Sequence, residues 1–128
     1  MTIHLDTSVL VDALTGPRRS FRALERTVAA GHVTGLSSLV LYEWLRGPRT
    51  PVEIEAQESL WPTDEAWPFG SAEAARAAEI YRLSKRARGR DMEIAIAACA
   101  VQHRARLWTL NPDDFRDLPF VELYEPTR

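Results

Sequence analysis

The sequence predicts an α/β fold built around a parallel sheet of four or five strands. Three observations carry this expectation. Short β-branched and apolar runs alternate with helical stretches, the pattern of βαβ units. The chain has 128 residues, which suits a single domain over 1–128. Hydrophobic residues make up 45% and charged residues 27%, close to ordinary globular proteins.

Each element has a local reason. Ile3–Leu5 is a first short strand, followed by helical Thr7–Leu14. Gly16-Pro17 reads as a helix start, with Pro in the first turn, for a helix over Arg18–Ala30 stopped by Gly31. Val33–Leu36 is a second strand. Ser37 and Ser38 cap a helix reaching Arg46, which Gly47-Pro48 ends. Thr50-Pro51-Val52-Glu53 is a capping box that opens a helix to about Leu60. Ala66–Phe69 is a weak third strand. The Ala-rich stretch Ser71–Arg88 predicts a long helix ending at Gly89, and Met92–His103 predicts another. Leu107–Leu110 is a fourth strand, Pro112–Phe115 a short helical turn, and Val121–Tyr124 a last strand.

Composition narrows the functional classes. No run approaches the ~18 apolar residues of a membrane span, and Met1–Asp6 has no basic stretch preceding an apolar one. Cys99 is the sole cysteine, so neither a disulfide framework nor a Cys-rich zinc site is available. The expected compartment is the cytoplasm. The formal net charge is −2, which argues against nucleic-acid binding through bulk positive charge. Any such contact must be local. Fifteen of the 16 basic residues are Arg, with Lys85 the exception, a bias that fits genome composition better than function.

In parallel sheets, ligands sit beyond the carboxyl ends of strands. Asp6 follows the first strand, and Asp114 lies just past the fourth. Either could be a helix cap or a turn acid. Glu43 sits on a helix face shared with Leu36, Leu39 and Val40, where a carboxylate is costly unless it is paired or bound. A pairing with Arg46 at the stripe's edge explains it equally well. Asp91 opens the most apolar helix, where a cap alone would account for it. Glu93 lies two positions on, about 200° around that helix, and cannot share its face.

Together these acids suggest one edge of the sheet. Two carboxylates ~5 Å apart repel by ~3 kcal/mol at an effective dielectric of 20. A cluster of Asp6, Glu43, Asp91 and Asp114 therefore calls for a cation, and its oxygens suit Mg²⁺ or Mn²⁺. Such ions support phosphodiester hydrolysis without a His, Ser or Cys nucleophile.

Four segments in order resemble the motifs of PIN-domain ribonucleases, especially VapC-type toxins of toxin–antitoxin pairs. They are Leu5–Asp12 around Asp6, Ser38–Gly47 around Glu43, Asp91–Ala95, and Thr109–Phe115, which reads Thr-x-Asn-x-x-Asp-Phe. The resemblance spans residues 5–115. It implies a three-layer α/β/α sandwich and Mg²⁺- or Mn²⁺-dependent endonuclease activity on RNA. It implies Asp6, Glu43, Asp91 and Asp114 as catalytic, metal-binding acids. Ser8, Thr109 and Asn111 are implied as supporting polar groups that orient carboxylates or water. Asp113 competes with Asp114, and the motif register favours Asp114. Glu93 occupies a position often apolar in relatives, and reads as an additional supporting acid or as exposed. Kinship also implies a homodimer and a cognate antitoxin.

Arg82–Arg90 carries five basic residues and no acid. Lys85 and Arg86 are explained by helix-dipole compensation, which leaves Arg88 and Arg90 as candidates for the RNA backbone. Arg18, Arg22 and Arg26 share a helix face that reads as solvated. Trp44 is a candidate for an antitoxin groove if Leu41 and Leu45 fill the core. The three His residues lack metal-ligand spacing. A non-catalytic PIN-like scaffold binding RNA or protein, and a housekeeping RNA-processing nuclease, are the alternatives.

Overall fold

The computed structural model describes residues 1–126. Strand β1 (Thr2–Leu5) is the centre of a sheet with order β2-β1-β3, where β2 is Val33–Gly35 and β3 is Arg106–Trp108. Both pairings are parallel; Ile3 faces Thr34 on one side and Arg106 on the other. A central parallel strand is covered on both faces, so it reads as a near-continuous apolar run. Ile3, His4 and Leu5 are accordingly all fully buried.

Helices flank this sheet: α1 (Thr7–Leu14), α2 (Phe21–Ala29), α3 (Ser38–Arg46), α4 (Pro51–Leu60), α5 (Ser71–Leu83) and α6 (Asp91–Gln102). Short 3₁₀ turns occupy Thr63–Glu65 and Pro112–Asp114. The capping box at Thr50 and Glu53 is present in both directions, and Ser37 caps α3 by accepting from the Val40 N–H. Among the described residues, no helix is long and apolar enough to cross a membrane.

Several boundaries differ from the sequence expectation. The sheet has three strands among the described residues rather than four or five. The segments at 66–69 and 121–124 each add one isolated parallel bridge, Ser37 with Trp67 and Leu107 with Leu123. Pro68 has no N–H to continue the first ladder, and Pro119 and Pro126 bracket the second. Helix α2 starts at Phe21, because Gly16 and Arg18 both take positive φ and turn the chain before it. Helix α5 stops at Leu83, five residues before Arg88. There the Ser84 hydroxyl donates to the Ile80 carbonyl, and the backbone continues in an extended conformation.

Trp44 is a core residue and cannot line a groove. It is fully buried beside Val40 and Leu41 on the inner face of α3, while Leu45 is 47% exposed. One turn of helix separates Trp44 from Val40 and Leu41, and the larger indole takes the core position. The Arg49 guanidinium lies 4.3 Å over its ring. Trp44→Ala should cost about 3–5 kcal/mol of stability, measurable as the shift of a urea midpoint.

His4 is the polar exception in β1. Neither ring nitrogen has a hydrogen-bond partner among the described residues. Its ring lies 5.5 Å from Trp67, which in turn stacks on His103 at 4.4 Å. Burial, reinforced by the nearby His103, lowers its pKa from 6.5 to about 3. Unfolded chains thus bind a proton below pH 6.5 that the native state refuses down to about pH 3. Stability should therefore fall with acid across that window, by about 1.4 kcal/mol per pH unit from this group. His4→Gln should flatten the acid limb of a pH–stability profile; an unchanged limb would assign it to other groups.

Candidate functional site

The sheet topology brings the ends of β1 and β3 side by side, and the residues that follow them meet there. The Asp6 N–H donates to the Trp108 carbonyl at 2.9 Å, which ties the two exits together. Asp6 occupies the N-cap position of α1 yet makes no side-chain cap bond. Its carboxylate turns instead toward Ser8 and Thr109. The Ser8 hydroxyl donates to Asp6 Oδ2 at 2.7 Å, and the Thr109 hydroxyl donates to the same oxygen at 2.8 Å.

Each hydroxyl is fixed from its other side. The Leu110 N–H donates to Ser8 Oγ, and the Asn111 N–H donates to Thr109 Oγ1, both at 3.0 Å. Each hydroxyl proton is already committed to Asp6, so both hydroxyls act as directed donors. Asp6 is only 7% exposed. Its Oδ2 is saturated, while Oδ1 has no donor among the described residues and is the atom left for a ligand.

Asp6 and Ser8 line an open cleft of about 220 Å³. Glu43 reaches it from α3, Glu93 from the first turn of α6, and Asn111 and Asp114 from the segment after β3. The lining holds four carboxylates and no basic residue. Glu43 is held in place: the Thr7 hydroxyl donates to Oε1, and Arg46 lies 3.6 Å from Oε2. Both functional and structural readings of Glu43 thus have a geometric basis. The Thr7 contact is one that sequence reasoning missed, although Thr7 directly follows Asp6.

Two assignments need correction. Asp91 does not reach this cleft; it lies beside Phe69, Tyr81 and Ile94 in a separate apolar hollow between α5 and α6. Glu93 takes its place, because the two sit on different faces of α6. Glu93 heads the stripe Ile96, Ala97 and Ala100, all buried, whereas Asp91 opens the helix at an exposed position. Ile-Ala occurs twice in α6, so the motif spacing fits either acid: Asp91 lies three residues before the first occurrence and Glu93 three before the second.

Arg90 is likewise not a free phosphate ligand. Its guanidinium pairs with both oxygens of Asp117 at 2.8 and 2.9 Å, and donates to the Asp114 and Arg86 carbonyls. Arg88 is exposed. The Asp113 carboxylate pairs with Arg116 and lines a different groove from the cleft, whereas Asp114 lines both. The structure thus places Asp114 rather than Asp113 beside Asp6.

The donor set fits a hard divalent cation in kind: carboxylate oxygens, with hydroxyls and an amide beside them. Among the described residues, no three His, Cys, Asp or Glu side chains stand close enough together, as placed, to hold a metal ion. The cleft is open, its charged lining residues are all acidic, and its tightly oriented Asp6 carboxylate presents a free oxygen. An open arrangement leaves coordination positions for water and substrate.

A parallel α/β sheet with an acidic cleft beyond the carboxyl ends of its strands defines a class of α/β proteins whose ligands sit at those strand ends. Within it, this chain belongs to the PIN domain family, which it matches over residues 3–121. Similar solved structures include DNA-bound VapBC from Salmonella typhimurium, at TM-score 0.79 and 18% identity, covering 97% of each chain. VapBC2 from Rickettsia felis, bound to a fragment of its promoter DNA, has TM-score 0.74 and 20% identity, covering 97% of this chain and 98% of that one. A toxin–antitoxin complex from Klebsiella pneumoniae has TM-score 0.69 and 25% identity, covering 96% and 98%. No curated protein matches the sequence as a relative.

Proposed function

We propose that this chain is a divalent-metal-dependent endoribonuclease and the toxin of a toxin–antitoxin pair. The observation that carries the catalytic reading is the Asp6 carboxylate, buried, doubly held on Oδ2 and open on Oδ1, in a cleft with three further acids. The antitoxin partner is supported by neighbours that are themselves toxin–antitoxin complexes.

Asp6, Glu43, Glu93 and Asp114 are the acids of the cleft that would hold Mg²⁺ or Mn²⁺. The cation supplies water activation at neutral pH and neutralises charge developing on the phosphodiester. The chain's own residues do the positioning. Ser8 and Thr109 prevent rotation of Asp6, and Thr7 restrains Glu43. Asn111 lines the cleft, and its side-chain amide would be a donor for a phosphate oxygen. Such preorganisation lowers the barrier because no group need reorient as charge develops.

Digestion of total cellular RNA by antitoxin-free protein tests this reading. Discrete fragments should appear with Mn²⁺ or Mg²⁺ and vanish with chelator. Intact RNA under both conditions, with the protein folded, would favour a non-catalytic scaffold. Metal should also stabilise the protein. At about 100 times its Kd, Mn²⁺ should add about 2.7 kcal/mol, a Tm rise of about 8–12 °C for a chain of this size. A Tm indifferent to millimolar Mn²⁺ would argue against metal binding in the cleft.

A further inference from the structure

A groove of about 600 Å³ lies between the loop after α5 and the segment after β3. It shares Asp114 with the acidic cleft, so that residue borders both hollows. One wall carries Lys85 and Arg86, and the other carries Asp113, Asp114 and Asp117.

These charges do not simply cancel. Asp117 lies within Coulombic reach of Arg86, yet both of its oxygens are taken by Arg90. Asp113 is paired with Arg116. Lys85 and Arg86 are exposed and have no ion-pair partner among the described residues. Two unpaired cations thus line a groove that borders the acid cleft at Asp114. Both lie just past the C-terminus of α5 at Leu83, where the helix dipole also favours cations, and Ser84 meets two of the terminal carbonyls, Ile80 and Tyr81.

The loop itself is fastened. Arg90 donates to the Arg86 carbonyl while gripping Asp117 and the Asp114 carbonyl. The same guanidinium therefore holds the basic wall at a set distance from the turn that carries Asp114. Arg90 is a positioning residue here, and Lys85 and Arg86 are the groups free to meet a ligand.

We propose that Lys85 and Arg86 form the phosphate-binding wall of a single-stranded RNA channel that leads into the Asp6 cleft. This rests on the nuclease reading for the direction of the strand. Cations spaced along one wall track a polyanionic backbone without reading bases. They offset the repulsion that an all-acid cleft would otherwise present to RNA.

The test is binding of a fluorescein-labelled, mixed-sequence single-stranded RNA, in chelator, as a function of salt. Lys85→Gln with Arg86→Gln should weaken binding roughly tenfold at about 50 mM salt and make the salt slope shallower by about 1.4, for two phosphate contacts at about 0.7 each. Lys85→Arg with Arg86→Lys should restore both. Arg22→Gln with Arg26→Gln removes the same net charge from exposed positions on α2 and should change neither. Unchanged affinity and slope in the Gln pair, with melting curves showing it folded, overturn the proposal and leave the basic wall as a protein-facing surface. Equal weakening by the α2 pair also overturns it, because bulk charge would then suffice. The cleavage assay in Mn²⁺ is independent. Intact RNA there removes the nuclease reading, while binding in chelator still decides the role of the wall.

Discussion

Asp6→Asn is expected to lower metal-dependent RNA cleavage by more than about a hundredfold while the protein stays folded. Groups that merely orient a metal ligand typically contribute 10–100-fold to affinity or activity, by about one or two orders of magnitude. A direct ligand should exceed that. The substitution suits the geometry, because the Asn carbonyl oxygen can still accept from Ser8 and Thr109. Only the charge and the free Oδ1 are lost. Folding should not suffer, since Asp6 makes no side-chain cap bond to α1. Removing one of four carboxylates in a cleft without a base should even raise the Tm in chelator. Asp6→Asn that unfolds, or that cuts at the wild-type rate, would each contradict this role.

Glu93→Gln and Asp91→Asn should separate sharply. Glu93→Gln is expected to cost at least about a hundredfold in cleavage, by the same argument as for Asp6. Asp91→Asn should stay within about threefold, because its carboxylate faces the hollow lined by Phe69 and Tyr81. Both acids lie in the first turn of α6, so the helix macrodipole treats them alike and stability should drop by less than about 1 kcal/mol for either. That parity makes the pair a clean comparison. Measuring kcat/KM for both variants decides it; the reverse ranking would return Asp91 to the site and place Glu93 outside it.

The sequence made the site partly legible because Asp6 and the Thr109–Asp114 segment are tied directly to strand ends. The strands β1 and β3 are short, apolar and neighbours in the sheet, so their exits had to meet. Glu43 was legible as an acid on an apolar face, and the structure adds why both readings hold: Thr7 restrains one oxygen and Arg46 faces the other. Glu93 was harder. In an Ala- and Ile-rich helix every face looks apolar, so periodicity does not choose between two acids two residues apart. Burial chooses, and burial is a tertiary property.

The same limit explains Trp44 and Arg90. Either Trp44 or Leu45 could have filled the core from helical spacing alone; the structure buries Trp44 and leaves Leu45 47% exposed. Arg90 looked free because its partner, Asp117, lies 27 residues further along the chain. The basic run around it therefore changes meaning. The middle of the run, Lys85 and Arg86, faces the groove, while Arg90 serves as the fastener.

Calorimetric titration of Mn²⁺ into wild-type protein, Asp6→Asn and Asp91→Asn tests most directly whether the acid cleft is a divalent-cation site. The account predicts saturable binding to the wild type and to Asp91→Asn, and loss of that binding in Asp6→Asn. Equal binding by all three, or none by the folded wild type, would contradict it.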